Sequence, residues 1–241
     1  MAAGLAAGLR PQAVFLLEGS SAEDEAEASL PVSSAGALPV TPVTRRVAEK
    51  ITTLETPPAV MAIFPALQPP PLSTLRGPGL LAIYADRIAD PGNLGTLVRA
   101  AGAFGATALL TSPGGVDLFS PKVVRASMGA VFALPLYTDQ LLVAALRELE
   151  PERVYGLVAH GGSDLASSSL RRPAVLCVGA ERAGLSAEVF AQLTERLTIR
   201  LAPAAAAIES LNAGVAGAVA LYEFSRHGGS RPTGVMPTTG G

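Results

Sequence analysis

The chain has 241 residues, 49% of them hydrophobic and 16% charged, which is enough for one large domain or for a small and a medium-sized one. A formal net charge of −2 does not by itself indicate a nucleic-acid-binding protein, and the single cysteine, Cys177, excludes an intrachain disulfide. The longest apolar run, residues 201–222, is interrupted by a proline and by polar residues, which argues against a membrane span. We therefore expect a cytoplasmic protein without a membrane segment.

Residues 1–70 have the pattern of a small α/β domain. Residues 13–17 and 59–64 are apolar runs of strand length, and 42–54 has the apolar spacing of a helix. The acidic stretch 22–28 also favours a helix. Five prolines fall within residues 65–79, so we predict a stiff linker at 71–79 and a domain boundary there.

Residues 80–226 alternate between strand-like and helix-like segments. This alternation predicts βαβ units with a parallel sheet and helices on both of its faces. The tail, residues 227–241, lacks a periodic apolar pattern, and we expect it to be disordered. The predicted strands are 80–85, 106–111, 131–136, 154–159, 174–178 and 197–201, and the predicted helices are 94–103, 120–127, 140–149, 187–192 and 211–225.

The first polar cluster, residues 86–99, follows the first of these strands and opens a helix. The apolar stripe of that helix, which we expect to face the sheet, is formed by Leu94, Leu97, Val98 and Ala101. At about 100° per residue, Arg99 points nearly opposite this stripe, between Gly95 and Gly102. Each helical glycine costs about 1 kcal/mol relative to alanine, so the pair suggests that another chain or a ligand approaches closely.

Two further clusters also follow strands, at the junctions where α/β sheets bind ligands. Residues 179–185 combine two glycines with Glu181, and residues 209–212 read Glu-Ser-Leu-Asn before an Ala/Gly/Val-rich helix. Ser210 or Asn212 could simply cap that helix, and Glu181 could pair on the surface with Arg182. The sequence has no dinucleotide fingerprint, phosphate-binding loop, paired catalytic carboxylates or metal-spaced His/Cys set. His160 is interpreted as a turn residue and Cys177 as a packing residue.

Together, these clusters resemble the three signature motifs of the SpoU (TrmH-type) RNA ribose 2′-O-methyltransferases of the SPOUT superfamily. The first is matched by Asp90-Pro91-Gly92-Asn93 through Arg99 to Gly105, and residues 121–130 resemble the segment that follows it. The second is matched by residues 179–185, and the third by Pro203 with residues 209–212 and the following helix. Residues 13–64 more weakly resemble the small substrate-binding domain of the members that act on ribosomal RNA.

The resemblance implies a parallel-sheet α/β domain whose C-terminal part forms a trefoil knot, with S-adenosylmethionine (SAM) as cofactor and no metal. It places the cofactor against Gly179, Ala180, Leu201, Ala202, Ser210 and Leu211. It implies catalysis by Arg99 together with Asn93, Glu181, Ser210 and Asn212. The sequence departs from the family at Ala202-Pro203-Ala204 and at Ala206, where the apolar wall of the cofactor pocket would be thinner.

The implied reaction is methyl transfer to a ribose 2′-hydroxyl, with ribosomal RNA as the favoured substrate and transfer RNA as an alternative. Arginine is a poor free base at neutral pH, so we expect Arg99 to clamp a neighbouring phosphate, while the polar residues orient it and the ribose. Two other classes remain open: a non-catalytic RNA-binding module on the same fold, and a nucleotide-binding oxidoreductase. The missing fingerprint disfavours the second.

A homodimer is the last expectation from the sequence. Helix 211–225 is apolar nearly all round and rich in small residues, and one sheet can cover only one stripe of it. Helix 94–103 offers a matching close approach at Gly95 and Gly102, which would set Arg99 at the subunit boundary. We expect Gly217→Glu to break this dimer. Burial of both helices within one chain is the alternative.

Overall fold

The computed structural model of the protein describes residues 1–21, 24, 40–52, 54–202 and 210–227. The chain divides into two compact units: residues 1–69 with 129–133, and residues 70–128 with 134–241. The acidic stretch expected to be helical at 22–28 lies outside the described residues except for Asp24, and so does the tail beyond residue 227. No helix in the described ranges combines the length and the apolar character that crossing a membrane requires.

The first unit is a small three-stranded α/β structure. Its central strand β1 pairs in parallel with β2 and antiparallel with β3. Val14, Val43 and Ala48 form its buried centre. The helix expected at 42–54 begins later, because the preceding residues extend the sheet as β2 and Thr44 takes the N-cap position. The elements are α1 (Ala2–Ala6), β1 (Ala13–Leu17), β2 (Val40–Val43), α2 (Arg45–Ile51) and β3 (Val60–Ile63).

The second unit contains a seven-stranded sheet in which every pairing is parallel, as the alternation of strands and helices predicts. The strand order is β6-β5-β4-β9-β7-β10-β8. The two central strands, β4 and β9, are buried along their whole length, as expected for a sheet covered on both faces. The strands are β4 (Leu81–Asp86), β5 (Ala108–Thr111), β6 (Leu136–Tyr137), β7 (Arg153–Leu157), β8 (Ser163–Asp164), β9 (Ala174–Gly179) and β10 (Glu195–Thr198).

The helices of this unit are α3 (Pro91–Ala103), α4 (Pro121–Ala126), α5 (Leu142–Leu149), α6 (Ala187–Phe190) and α7 (Ala213–His227). The predicted stripe of α3 is fully buried, with Leu94, Leu97, Val98 and Ala101 at most 1% exposed. The glycines of α7 pack against α3 in the same chain: a Cβ on Gly217 would lie 2.4 Å from Leu97 Cδ1. The small-residue surface of α7 is therefore used, at least in part, within one chain.

Two predicted segments take a different form. The strand expected at 131–136 is replaced by a 3-10 helix at Ala130–Phe132 and the short strand β6. Gly129 turns the chain with φ +91°, and Phe132 then packs against Phe64 of the first unit with ring centroids 5.3 Å apart. Apolar periodicity cannot distinguish such a packed turn from a strand.

The expected linker at 71–79 contains a 3-10 helix, Leu72–Leu75. Leu72 is 4% exposed and belongs to the core of the second unit. Arg76 Nε donates to the carbonyl of Glu148 at 2.5 Å, at the end of α5. This segment is thus a packed part of the second unit for much of its length, because its leucines supply apolar surface that a proline count overlooks.

Tyr84 on β4 should make the free energy of unfolding depend on pH in the alkaline range. Burial raises the pKa of its hydroxyl to about 12, and the charge of Asp86 adds to the rise. Because the pKa is about 10 in the unfolded chain, the stabilisation is complete below pH 10 and is lost as the pH rises toward 12. The loss should be on the order of 2–3 kcal/mol. We expect Tyr84→Phe to remove this dependence, although it also loses the 2.9 Å bond to the carbonyl of Gln140. Urea unfolding between pH 9 and 12 tests this, and parallel curves for the two proteins would contradict it.

Candidate active site

A cleft of about 500 Å³ lies at the carboxyl edge of the parallel sheet. Its walls come from the ends of three neighbouring strands, β7, β9 and β10, and from the start of α7. This edge is where ligands bind in open α/β sheets, and the volume suits a small-molecule ligand. The lining residues are Leu157, Val158, Ala159, His160, Val178, Gly179, Ala180, Glu181, Arg182, Gly184, Ile199, Leu201, Ser210, Leu211, Ala213 and Ala216.

Five of the six predicted cofactor residues line this cleft: Gly179, Ala180, Leu201, Ser210 and Leu211. The sixth, Ala202, is exposed and does not line it. Pro203, Ala204, Ala206 and Glu209 lie outside the described residues.

Gly179 is required by the shape of the loop that follows β9. A Cβ at this position would lie 2.3 Å from the carbonyl carbon of Gly184. The amides and carbonyls of Ala180 and Gly184 bond reciprocally, at 3.2 and 2.9 Å, and Gly184 has φ +65°. We name residues 180–186 the β9 loop. Its tight closure fixes the backbone on one wall of the cleft and presents Glu181 at the rim.

Three of the predicted catalytic side chains form one hydrogen-bond network. Asn93 Nδ2 donates to Glu181 Oε1, and Asn212 Nδ2 donates to Asn93 Oδ1 at 2.5 Å. Asn212 Oδ1 in turn accepts from the amide of Val215 at 3.1 Å. Each Asn amide thus accepts on one side and donates on the other, and the chain of bonds ends on a carboxylate. The network joins the three sequence clusters, which are far apart along the chain.

The ends of two helices hold this network in place. Asp90 caps α3 by accepting from the amide of Asn93 at 2.8 Å, so the backbone that carries Asn93 is fixed. Asn212 caps α7, so the simple capping role that the sequence offers for this residue is confirmed. The capping bond uses its oxygen and leaves its amide nitrogen for Asn93. The sequence expectation had treated capping and catalysis as alternatives, and one side chain can serve both.

Arg99 and Ser210 lie apart from this network. Arg99 is exposed on α3, as its position off the apolar stripe predicts, and it has no hydrogen bond to any residue in the described part of the chain. Ser210 is exposed and lines the cleft. The bare backbone expected beside Arg99 is only partly present, because Gly95 is buried against α4, where a Cβ would lie 2.4 Å from Ala126 Cβ. Gly95 is explained by helix packing within the chain.

Two contributors to this edge were missed in the sequence. His160, interpreted as a turn residue, lines the cleft beyond the end of β7. Asp86 is 2% exposed and accepts from the amide of Ser186 at 2.6 Å. Asp86 ends the parallel strand β4 and His160 lies three residues after the end of β7, and this position is the signal that could have identified them. In the described ranges, no group of three or more His, Cys, Asp or Glu residues is arranged to hold a metal ion.

A parallel α/β sheet with a polar network at its carboxyl edge defines a ligand-binding α/β protein, and comparisons with known proteins specify the family. The family model described as the SpoU rRNA Methylase family matches residues 80–222, more than half of the chain. The protein belongs to this family. The match includes Asn93, Arg99, Glu181, Ser210 and Asn212.

Individual relatives agree with this assignment. The chain is 34% identical over 164 residues to the 23S rRNA (uridine(2479)-2′-O)-methyltransferase of Streptomyces viridochromogenes, covering 65% of this chain and 56% of that one. It is 31% identical over 176 residues to the 23S rRNA (guanosine(2553)-2′-O)-methyltransferase RlmP of Bacillus subtilis, covering 72% and 67%. The crystal structure of an AdoMet-bound rRNA methyltransferase from Sinorhizobium meliloti superposes with a TM-score of 0.74 at 30% identity, covering 94% and 84%. The chain spans about half the length of several curated relatives that it matches, 53% and 56% of two of them.

The double use of Asn212 can be separated by substitution. Asn212→Ala removes both the helix cap and the bond to Asn93, so we expect the free energy of unfolding to fall by about 1 kcal/mol. Asn212→Ser keeps a capping oxygen but is too short to reach Asn93, so stability should stay near wild type. Both variants should lose any activity that requires the Glu181 carboxylate to be held in place through Asn93. Denaturant unfolding of the two variants measures the difference, and equal loss of stability would show that the Asn93 bond stabilises the fold.

Proposed function

We propose that the protein transfers a methyl group from SAM to a ribose 2′-hydroxyl of RNA, and that ribosomal RNA in the cytoplasm is its substrate. The observation that carries this proposal is the Glu181–Asn93–Asn212 network, which joins one polar residue from each of the three family motifs beside the cleft that Glu181 lines. The names of the Streptomyces and Bacillus relatives, both 23S rRNA 2′-O-methyltransferases, support the choice of substrate.

The residues present fit SAM. The cleft holds about 500 Å³, within the range of small-molecule sites, and combines apolar side chains with backbone groups of the β9 loop. Gly179 allows the β9 loop to close tightly, so that its backbone forms one wall of the cleft. Gly179, Ala180, Leu201 and Leu211 would hold the cofactor, which supplies an activated methyl group when bound. The AdoMet-bound Sinorhizobium structure supports this assignment.

The chain's own residues would contribute mainly by positioning the RNA. Asn93 and Asn212 fix the orientation of the Glu181 carboxylate, which can then accept from the ribose. Arg99, exposed and forked, would clamp the phosphate next to the reacting ribose in a bidentate contact. Its positive charge would stabilise the negative charge that develops on the 2′-oxygen as its proton leaves.

The small first unit is proposed to bind RNA. Its helix α2 exposes Arg45, Arg46 and Lys50, which can contact phosphates. Arg45 is only loosely held, because its partner Glu49, at 3.1 Å, is half exposed on the same helix. Such a charge pair can exchange readily for a phosphate contact.

A trefoil knot is proposed for the second unit. In the sheet, β10 lies between β7 and β8, although β7 and β8 are joined only by residues 158–162. Threaded chains are rare in proteins, and a later strand lying between two strands that are joined by a short earlier connection is an arrangement that threading would produce. The sheet order therefore supports the knot that the family resemblance implies.

A homodimer is proposed through the exposed side of α7. The glycine side of this helix packs on α3 within the chain, whereas Val215, Val219 and Tyr222 remain 45%, 36% and 49% exposed. These positions, at i, i+4 and i+7, form one apolar stripe of the kind that a partner covers. Arg99, on the exposed face of α3, would then lie near the subunit boundary.

The proposed function is tested by methyl transfer from labelled SAM to ribosomal and transfer RNA, followed by mapping of the modified ribose. Wild-type protein should label ribosomal RNA at one ribose. Arg99→Ala should lower the single-turnover rate by at least about 100-fold and leave SAM affinity unchanged, because the residue lies outside the cleft. Arg99→Lys should also fail, since a point charge cannot replace the fork.

The same measurement names the outcomes that would overturn this assignment. Labelling of transfer RNA alone would show that transfer RNA, and not ribosomal RNA, is the substrate. SAM binding without transfer to any RNA would favour a non-catalytic RNA-binding role. Near wild-type transfer by both Arg99 variants would remove Arg99 from the site.

The dimer is tested at the exposed stripe of α7. We expect light scattering at micromolar concentration to give twice the 24.4 kDa of one chain for the wild type and one chain for Val219→Glu. Val143→Glu is the matched control, because Val143 is a 43% exposed valine on α5. Gly217→Glu is unsuitable, since its side chain would collide with Leu97 and disturb the fold. A wild-type mass of 24.4 kDa would contradict the dimer.

A further inference from the structure

Asp86 is a buried carboxylate at the end of the central strand β4. Only 2% of the residue is exposed, and one of its oxygens, Oδ2, accepts from the amide of Ser186 at 2.6 Å. Burying a carboxylate is costly unless it is well bonded, so this position requires a physical explanation. None of the roles proposed above uses it.

The neighbouring cation does not provide that explanation. Arg87 Nε lies 3.6 Å from Asp86 Oδ1, and the arginine side chain is 47% exposed. Such a contact with a solvated partner contributes little. The short bond to Ser186 is charge-assisted and buried, and bonds of that kind are the stronger ones. The main contact of Asp86 is therefore with the β9 loop.

Asp86 lies where it can set the position of that loop. In the sheet it is paired in register with Gly179, the residue at which the β9 loop leaves the strand. Ser186, which it holds, is the residue at which the loop enters α6, and Ser186 caps that helix through its own hydroxyl. The loop is thus fixed at one end by β9 and at the other by Asp86. Glu181 lies between the two fixed ends.

The adjacent residue fixes a second loop at the same edge. Arg87 has φ +52°, a conformation that costs a non-glycine residue free energy, and its amide donates to Ser112 Oγ at 2.8 Å. The carboxyl end of β4 thus holds the β9 loop through a side chain and the loop after β5 through the backbone. The strand end organises the rim of the site, beyond its part in the sheet.

We propose that Asp86 is a positioning residue for methyl transfer: through Ser186 it sets the β9 loop so that Glu181 reaches Asn93. This inference rests on the proposed function. The charge of Asp86 serves to strengthen one backbone bond, and an asparagine, which also accepts a hydrogen bond, should retain most of the effect. Loss of the acceptor should displace Glu181 by a fraction of an ångström to an ångström, enough to slow a positioned reaction by roughly 100-fold.

The first experiment compares kcat and KM for RNA in Asp86→Ala, Asp86→Asn and a control. We expect Asp86→Ala to lower kcat roughly 100-fold with a smaller change in KM, and Asp86→Asn to recover to within about tenfold of wild type. Asp117→Ala is the matched control: Asp117 also accepts from a backbone amide, that of Phe119 at 2.9 Å, but on a loop that does not carry Glu181. An Asp86→Asn variant as slow as Asp86→Ala would overturn the proposal.

A double-mutant cycle tests whether Asp86 acts through Glu181. In a Glu181→Gln background, adding Asp86→Asn should cost clearly less in kcat than it does in the wild type. Equal costs in both backgrounds would mean that Asp86 acts elsewhere, and would overturn the assignment. This cycle uses the conservative variants, so it remains decisive if Asp86→Ala does not fold.

Amide hydrogen exchange measures how firmly the β9 loop is held, and it needs neither RNA nor SAM. In Asp86→Asn, the amides of Ala180, Gly184 and Ser186 should exchange near the wild-type rate, and in Asp86→Ala at least several-fold faster, while Leu176 in β9 stays protected. Unchanged exchange in a folded Asp86→Ala would overturn the loop assignment. If wild type proves inactive on RNA but the exchange pattern holds, the proposed function fails while the positioning of the loop stands.

Discussion

The close packing of α7 on α3 is the contact on which the site depends. A Cβ at Gly214 would lie 2.8 Å from the carbonyl oxygen of Asn93, and one at Gly217 would collide with Leu97. Only glycine allows the two helices to approach this closely. Because of this approach, Asn212, directly before α7, comes within hydrogen-bond distance of Asn93 at the start of α3. The glycines of α7 and the contact between the two asparagines are therefore linked, because the close approach of the two backbones permits the side-chain hydrogen bond.

The parallel sheet supplies the second constraint. Strands β4 and β9 are paired along their length, with Asp86 opposite Gly179, so both end at the same level. Everything that follows them, including Asp90, Glu181 and Ser186, is brought to one edge. A buried sheet of this kind cannot adjust easily, since its strands are covered on both faces. The polar residues at this edge therefore follow strands whose positions are fixed by the core.

Sequence patterns predicted the parts of this protein that local periodicity encodes. The alternation of elements gave the parallel α/β class, and the stripe of α3 is buried as its spacing requires. The junctions after β4 and β9 were recognised as the place of the site. The family motifs identified Asn93, Glu181 and Asn212 as a group, although the sequence alone did not show that they bond to each other.

The features that the sequence did not predict depend on contacts between residues that are far apart in the chain. Residues 131–136 look like a strand, but the chain turns at Gly129, and residues 129–133 belong to the first unit whereas 134–136 belong to the second. The glycine beside Arg99 was interpreted as an open approach, whereas α4 fills that space. Asp86 begins the first polar cluster, but its role could not be predicted there because its partner Ser186 lies 100 residues further along the chain. Spacing along a helix or strand carries no information about such distant contacts.

The order of the chain has a consequence for biosynthesis. The described residues that line the cleft fall within 157–160, 178–184, 199–201 and 210–216, so its last described wall is added late in the synthesis of the second unit. Until the nascent chain includes Asn212 and α7, the β9 loop has no helix α7 opposite it, and Asn93 has no Asn212 from which to accept a hydrogen bond. The binding site is thus absent until translation of the unit is almost finished. A chain that stops between β10 and α7 would contain all seven strands of the sheet but would lack this wall of the cleft.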